Sequence, residues 1–340
     1  MSRLGPPPAL TRARDLVAGP LRASVDRLPS PAMRRVAGYH FGWVAPDGTP
    51  IEGGGGKYVR PALVLLCAEA VGGAPAVAVP GAVAVELVHN FSLLHDDLMD
   101  RDEERHHRRT AWTVFGPAMA VLAGDALLAL AEQVLGDVPG EPAREALRHL
   151  NAATQELIRG QVDDLSFEER MDVTLDEALA MVGGKTASLM GCSASMGAVL
   201  AGADAARAGA LGEFGTHIGL AFQLVDDLLG IWGRPEVTGK PVLADLRVRK
   251  KSVPVVHALT AGGASSERLA ALLAAEEWRD EEEVVLAAKL VEDAGSRDWT
   301  QREAVRRLDL AAEALDRASP APAARAKLID LARFITDRER

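Results

Sequence analysis

Residues 80–110 read PGAVAVELVHNFSLLHDDLMDRDEERHHRRT. Proline suits a helix's first turn, and past Gly81 a long, mostly apolar run follows without Gly or Pro, so the stretch predicts one helix ending in acid. Asp96 and Asp100 lie four apart on one helical face, with Asp97 beside them and Asp102 just beyond. Arg105, His106, His107, Arg108 and Arg109 follow. Carboxylates that close repel unless a cation lies between them. Oxygen donors with room left for water and phosphate suit Mg²⁺, which keeps octahedral geometry and dehydrates reluctantly. Taken alone, the cluster equally describes a solvated helix end.

A second copy decides between these. FQLVDDLLG at 222–230 is again an apolar helix delivering a carboxylate pair, Asp226 and Asp227, with Gln223 one turn earlier on their side. Lys240, Arg247, Arg249, Lys250 and Lys251 come downstream. Acid for metal followed by base for phosphate, twice, points to a diphosphate held through metal ions.

The chain has 340 residues, 48% of them hydrophobic, which is ample for a core but leaves one large or two ordinary domains open. Only 4% is aromatic and β-branched runs are short, which predicts an all-α protein. The net charge of −10 speaks against nucleic acid, and it requires local basic groups and bound metal to attract any anionic substrate. Cys67 and Cys192 sit in apolar sequence without a C-x-x-C partner, as buried thiols of a reducing compartment do. MSRLGPPPALTRARD has no apolar core of signal-peptide length, and no stretch reads as a clear membrane span. These features predict a cytoplasmic enzyme.

Residues 1–8 read as a disordered lead and 9–340 as a single helical domain, opening with an amphipathic helix at Ala9–Leu28 built on Leu16, Val17, Leu21 and Val25. A short helix at Ala32–Trp43 and a loop of PDGTP and GGGG lead to Lys57. A nucleotide phosphate loop needs Gly six before the Lys and Ser or Thr after it; Ile51 and Tyr58 fail, and GGKT at 183–186 has Leu179 in the first Gly's place. Lys57 and Arg60 are three apart at a helix start, either a functional pair or two surface cations. Segments 117–137, 141–160, 174–202 and 204–232 read as helices, with a capping box at Thr174 and Glu177. Lys185 and Thr186 fall inside the third, where a buried lysine demands a polar cavity. Gln161 and Asp164 share a face, for structure or for the cavity. Towards the C-terminus, EEWRDEEE at 276–283 reads as a solvated face. Thr300 and Glu303 read as a capping box opening a helix with the stripe Val305, Leu308, Ala312 and Leu315.

ELVHNFSLLHDDLMDRDEER, FQLVDDLLGIWG and TGKPVLADLRVRKKSVP resemble the two aspartate-rich regions of the trans-type polyprenyl diphosphate synthases. GGGGKYVRPAL, AVLAGDALLALA, GQVDDL and GGKTASLM agree in order, so the resemblance spans residues 50–260. It implies a single-domain bundle of about ten or more helices around a central cavity, assembled as a homodimer. The implied reaction joins isopentenyl diphosphate head to tail to an allylic diphosphate, with Mg²⁺ ions, three per site, on Asp96, Asp100 and Asp226. Asp97 belongs to the same catalytic cluster. Arg105, Lys185, Thr186, Gln223, Lys240 and Lys250 would hold the leaving diphosphate, and Lys57, Arg60 and His89 the isopentenyl diphosphate.

Two departures stand out: Gly230 replaces the family's usual third Asp, and His106 replaces a second Arg that Arg108 or Arg109 could supply. A terpene cyclase of the same fold, a non-catalytic partner subunit and a phosphohydrolase are the alternatives. One turn below the aspartates lie Phe91 and Ser92, with Val88 a turn further, as the lining of a product tunnel. An aromatic five before the first aspartate resembles short-chain synthases, with geranylgeranyl diphosphate (C20) expected. Farnesyl diphosphate (C15) is the alternative if the facing helix near Met119 and Leu122 sets a higher floor.

Overall fold

The computed structural model describes residues 7–51, 56–235, 241–275 and 277–337. Helices α1 (Pro8–Asp26) and α2 (Pro31–His40) lead to α3 (Val59–Ala70) and, after a 3₁₀ turn at Pro75–Ala78, to α4 (Val79–Met99). A minimal hairpin, β1 (Glu104–Arg105) with β2 (Arg108–Arg109), and the short α5 (Ala111–Phe115) connect α4 to α6 (Pro117–Gly136). Then come α7 (Glu141–Glu169), α8 (Leu175–Val182), α9 (Ser188–Leu200) and α10 (Ala205–Trp232). Past residue 240 the chain forms α11 (Ala244–Arg247), α12 (Val253–Thr260), α13 (Ala264–Leu273), α14 (Glu281–Asp293), α15 (Ser296–Arg317) and α16 (Pro322–Thr336). The fold is all-α, as composition predicts.

Local chemistry sets the boundaries. Pro80 lies in the first turn of α4, the Asp204 side chain accepts from Arg207 N to cap α10, and Thr174 and Glu177 form the expected capping box of α8. Helix α9 is the hub, packed against α3, α4, α7 and α10. It is almost wholly buried and rich in small residues, which lets backbones touch: a Cβ on Gly197 would lie 2.0 Å from the Val64 carbonyl oxygen. The principal core draws side chains from both ends of the chain, Leu10 to Ile335.

Several sequence expectations are corrected. Helix α7 continues past residue 160 to Glu169, while 174–202 is broken at Gly183–Ala187 by a π-helical turn. The predicted helix at Ala32–Trp43 stops at His40. Leu16 faces solvent, so Leu10, Ala13, Val17, Leu21 and Val25 form the buried stripe of α1. Of the predicted lead, residues 1–6 lie outside the described residues, and α1 begins at Pro8. Thr300 caps nothing: it is buried inside α15, donating to Ser296 O, while Glu303 holds Arg306 and Arg307. The buried face there is Ala304, Ala311, Ala314 and Leu315, with Val305 51% exposed. Nor is 277–283 simply solvated, because Glu283 is buried under Arg279 and Trp278 Nε1 donates to Leu246 O; residue 276 lies outside the described residues. Two stretches, Pro75–Met99 and Pro117–Gly136, do reach spanning length and apolarity; the first is 72% buried within the bundle as its core helix.

Candidate active site

The two acidic helix ends divide their work in the same way. In the first, Asp97 is 1% exposed and its Oδ1 accepts from Arg105 Nε at 2.6 Å, while Asp96 and Asp100 lie nearer the surface. In the second, Asp227 is 2% exposed and doubly bound, from Gln223 Nε2 at 2.9 Å and from Val253 N at 3.1 Å, which caps α12. Asp226 remains half-buried. In each pair the more buried carboxylate is tied into the framework, and its neighbours lie nearer the surface. Burial pushes the Asp227 carboxyl up to about 6 against the pull of Lys250.

The π turn supplies a third wall. Lys185 Nζ donates to Asp164 Oδ2 at 2.5 Å, and Thr186 Oγ1 donates to Gln223 Oε1 at 2.9 Å, so a chain of bonds runs from Thr186 through Gln223 to Asp227. The turn sits directly on α7: a Cβ on Gly160 would lie 2.2 Å from Lys185 N, and one on Gly184 2.6 Å from Glu156 O. Asp164, which sequence left undecided, is central here. Burial raises Asp96 to about 6 and raises Asp100 as well; Lys185 opposes both shifts and Asp164 adds to both. Lys250 would lose its proton more readily through burial, yet Asp227, Asp245, Asp164 and Asp226 together drive its ammonium up. Both acidic clusters thus share one electrostatic space, walled by α4, α7, α10 and the π turn.

The cations after the second cluster are not equivalent. Arg247 pairs with Glu281 through both terminal nitrogens, at 2.5 and 2.6 Å. Arg249 Nη2 donates to Leu273 O at 2.6 Å and its guanidinium lies 5.0 Å from the Trp278 ring centre. Lys251 Nζ ties down the end of α7 through Phe167 O and Glu168 O, at 2.6 and 2.9 Å. Three of the four are structural, and Lys250 faces the carboxylates. Lys240 lies outside the described residues.

A second basic pocket adjoins Arg105. Lys57 stands before α3 rather than in its first turn, because Tyr58 takes a left-handed cap conformation. Arg60 is half-buried as a residue, with its Nε buried and unpartnered; burial lowers it to about 10 against the pull of Glu86, so it remains charged at neutral pH. His89 is kept neutral by burial and by Arg60 and Arg105, and His106 by burial, Arg105 and Lys57. His40, at the end of α2, joins this group unannounced, pushed down to about 3 by burial and Arg105. No sequence signal marks it. His106 and His107 form a two-residue hairpin loop, both with positive φ (52° and 60°), a conformation usually left to Asn and Gly. Arg108 donates to Tyr39 O at 3.1 Å and stacks on that ring, and Arg109 donates to Thr113 O at 3.0 Å.

Below the aspartates, Phe91 is 6% exposed and meets His95 edge to face at 4.9 Å. His95 Nε2 lies 3.0 Å from Val121 O on α6, in room left by Gly124, whose Cβ would come within 2.3 Å. Ser92 donates to His89 O and Val88 is fully buried. Of the facing pair, Met119 is half-buried, whereas Leu122 is 53% exposed. Among the described residues, no three acidic, His or Cys side chains converge into a ready-made metal cage. Spread carboxylates of this kind suit an ion that brings its own phosphate and water ligands.

This arrangement is that of a helical prenyl-transfer fold, and the chain belongs to the polyprenyl synthetase family, whose model matches residues 49–291. Among its relatives are two proteins of Mycobacterium tuberculosis. A (2E,6E)-farnesyl diphosphate synthase is 52% identical over 335 residues, 98% of this chain and 93% of that protein. A geranylgeranyl diphosphate synthase is 44% identical over 331 residues, 97% and 93% respectively. The crystal structure of a polyprenyl synthetase from Streptomyces coelicolor A3(2) superposes with a TM-score of 0.92 at 54% identity, covering 96% of this chain and 98% of the other.

Proposed function

We propose that this enzyme condenses isopentenyl diphosphate head to tail with an allylic diphosphate, releasing inorganic diphosphate and a short-chain prenyl diphosphate. The observation that carries the reading is the pairing of two basic groups: Arg105 and Lys185 beside the first acidic cluster with Lys250 reaching both clusters, and Lys57, Arg60 and His89 just beyond Arg105. A terpene cyclase would have no use for the second pocket.

Asp96, Asp100 and Asp226 fit magnesium, because they are half-buried or exposed oxygen donors, and burial, with Asp100 and Asp164 nearby, holds Asp96 at about 6 even against the pull of Lys185 and Arg105. Bound there, three Mg²⁺ ions would supply charge to the leaving diphosphate. Arg105, Lys185 and Lys250 stabilise that group as the allylic C–O bond breaks and its electron pair departs. Arg60 and neutral His89 orient the isopentenyl diphosphate, whose double bond attacks the allylic carbon. A proton then leaves to the released diphosphate, so no covalent enzyme intermediate is required. The walls lined by Val88 and Phe91 exclude water from the cation.

The aromatic at Phe91 favours C20, while the higher identity to the farnesyl synthase favours C15. A homodimer is supported by α6, an apolar helix less than half buried in the single chain. Two buried free thiols support a reducing, cytoplasmic setting. One incubation tests the reaction: allylic diphosphate and Mg²⁺, with and without isopentenyl diphosphate. A longer diphosphate only when both substrates are present is expected. A cyclic hydrocarbon, a free alcohol or no product would overturn the proposal.

A further inference from the structure

Gly230 lies one helical turn past Asp226, on the same face of α10. A Cβ there would sit 2.1 Å from Asp245 Oδ2 and 2.4 Å from its Cγ. The Asp245 carboxylate therefore occupies the space that any side chain at 230 would take. It reaches this space from α11, and the backbone keeps it there. Leu243, at φ 62°, donates to Ile231 O at 3.2 Å, and Lys250 N donates to Asp245 O at 2.9 Å. Leu246, fully buried, anchors the other side of the short helix. A carboxylate delivered this way, beside Asp227 and Lys250, adds negative charge to a crowded half-buried cluster. Such crowding is costly unless cations share the space.

We propose that Asp245 serves as the outer carboxylate of the second acidic cluster, lent by α11 through the gap that Gly230 leaves in α10. Gly230 is on this view the residue that admits the carboxylate, and positions 230 and 245 form one functional unit. The inference rests on the magnesium and diphosphate reading of the site given above.

The test is calorimetric titration of Mg²⁺ into the enzyme with inorganic diphosphate, run beside the Mg²⁺ dependence of condensation. Asp245→Asn keeps the shape and removes the charge, and should weaken Mg²⁺ binding about tenfold, the low end for residues that support a metal site. Gly230→Ala, which displaces Asp245 and returns no carboxylate, should do the same. Asp245→Ala combined with Gly230→Asp should recover to within about threefold of the parent, since the charge returns on α10. Wild-type Mg²⁺ binding in Asp245→Asn, or a double variant no better than Asp245→Ala, overturns the inference. Asp226→Ala separates the two levels. If it too binds like the parent, the site reading fails; if it is impaired while Asp245→Asn is not, only the role of Asp245 fails. Thermal melts of each variant identify loss of fold, and Asp245→Asn, isosteric and half-buried, decides the matter where the others unfold.

Discussion

Phe91→Ala opens the floor beneath the aspartates, and its consequences can be worked out from the packing. The ring is almost fully buried against His95, which is itself bound to α6. Removing it deletes six carbons and leaves a hole on the order of 100 Å³, which at about 24 cal/mol per Å³ costs about 2.4 kcal/mol before the transfer term, within a usual range of about 3–5 kcal/mol for the whole change. An isoprene unit has five carbons. At about 0.8 kcal/mol per buried carbon, a chain one unit longer regains about 4 kcal/mol by filling the hole, so the longer product offsets most of the damage. One helical turn, about 5.4 Å, is also the reach of that unit. The variant should therefore be less stable without ligand, make a product at least one isoprene unit longer, and keep the rate of the first condensation within about threefold. Chromatography of the dephosphorylated products, with a thermal melt on the same preparation, measures both. An unchanged product distribution from a folded variant would refute the assignment and leave Phe91 as a packing residue of the α4–α6 seam.

Three further outcomes are expected. Asp96→Ala or Asp100→Ala should lower turnover by orders of magnitude with unchanged helical circular dichroism, because neither carboxylate packs in the core; near-native turnover in either would remove it from the metal set. Chelation of Mg²⁺ should stop condensation and its restoration should revive it; activity persisting in excess chelator contradicts the role given to the carboxylates. Light scattering at micromolar concentration should return the mass of a dimer, and a monomer would leave the exposed side of α6 unexplained.

The helices that carry the chemistry were legible because their signals are local and agree. Helix α4 has proline at its start, an unbroken apolar run and acids at its end, and α8 has its capping box. The same pattern misleads at Thr300 and Glu303, where the true start is Ser296 after the left-handed Gly295; a Thr and a Glu three apart can serve the interior of a helix as well as its end. The π turn at Gly183–Ala187 escaped because it depends on contact with α7 through Gly160 and Gly184, far apart in sequence. The roles of Arg247, Arg249, Lys250 and Lys251 were illegible for a related reason. Four neighbouring cations look alike until their partners, Glu281, Leu273, the acidic cluster and Phe167, are brought alongside. His40 entered the site in the same way, from a helix with no motif of its own.

The π turn also sets a limit on improving this enzyme. Its wide loop of backbone bonds is equivalent to one residue too many in an otherwise continuous helix from Leu175 to Leu200. Deleting one residue between Gly183 and Ala187 would close the helix into regular bonding and relieve a local defect. It would also remove the wide turn that carries Lys185 and Thr186, and so move that pair away from Asp164 and Gln223. Selection for a more heat-resistant chain would find that deletion attractive, and selection for turnover would reject it. The irregularity is thus a sequence-length constraint, and a homologue of this chain that lacks one residue here should be sought among proteins that have given up the reaction.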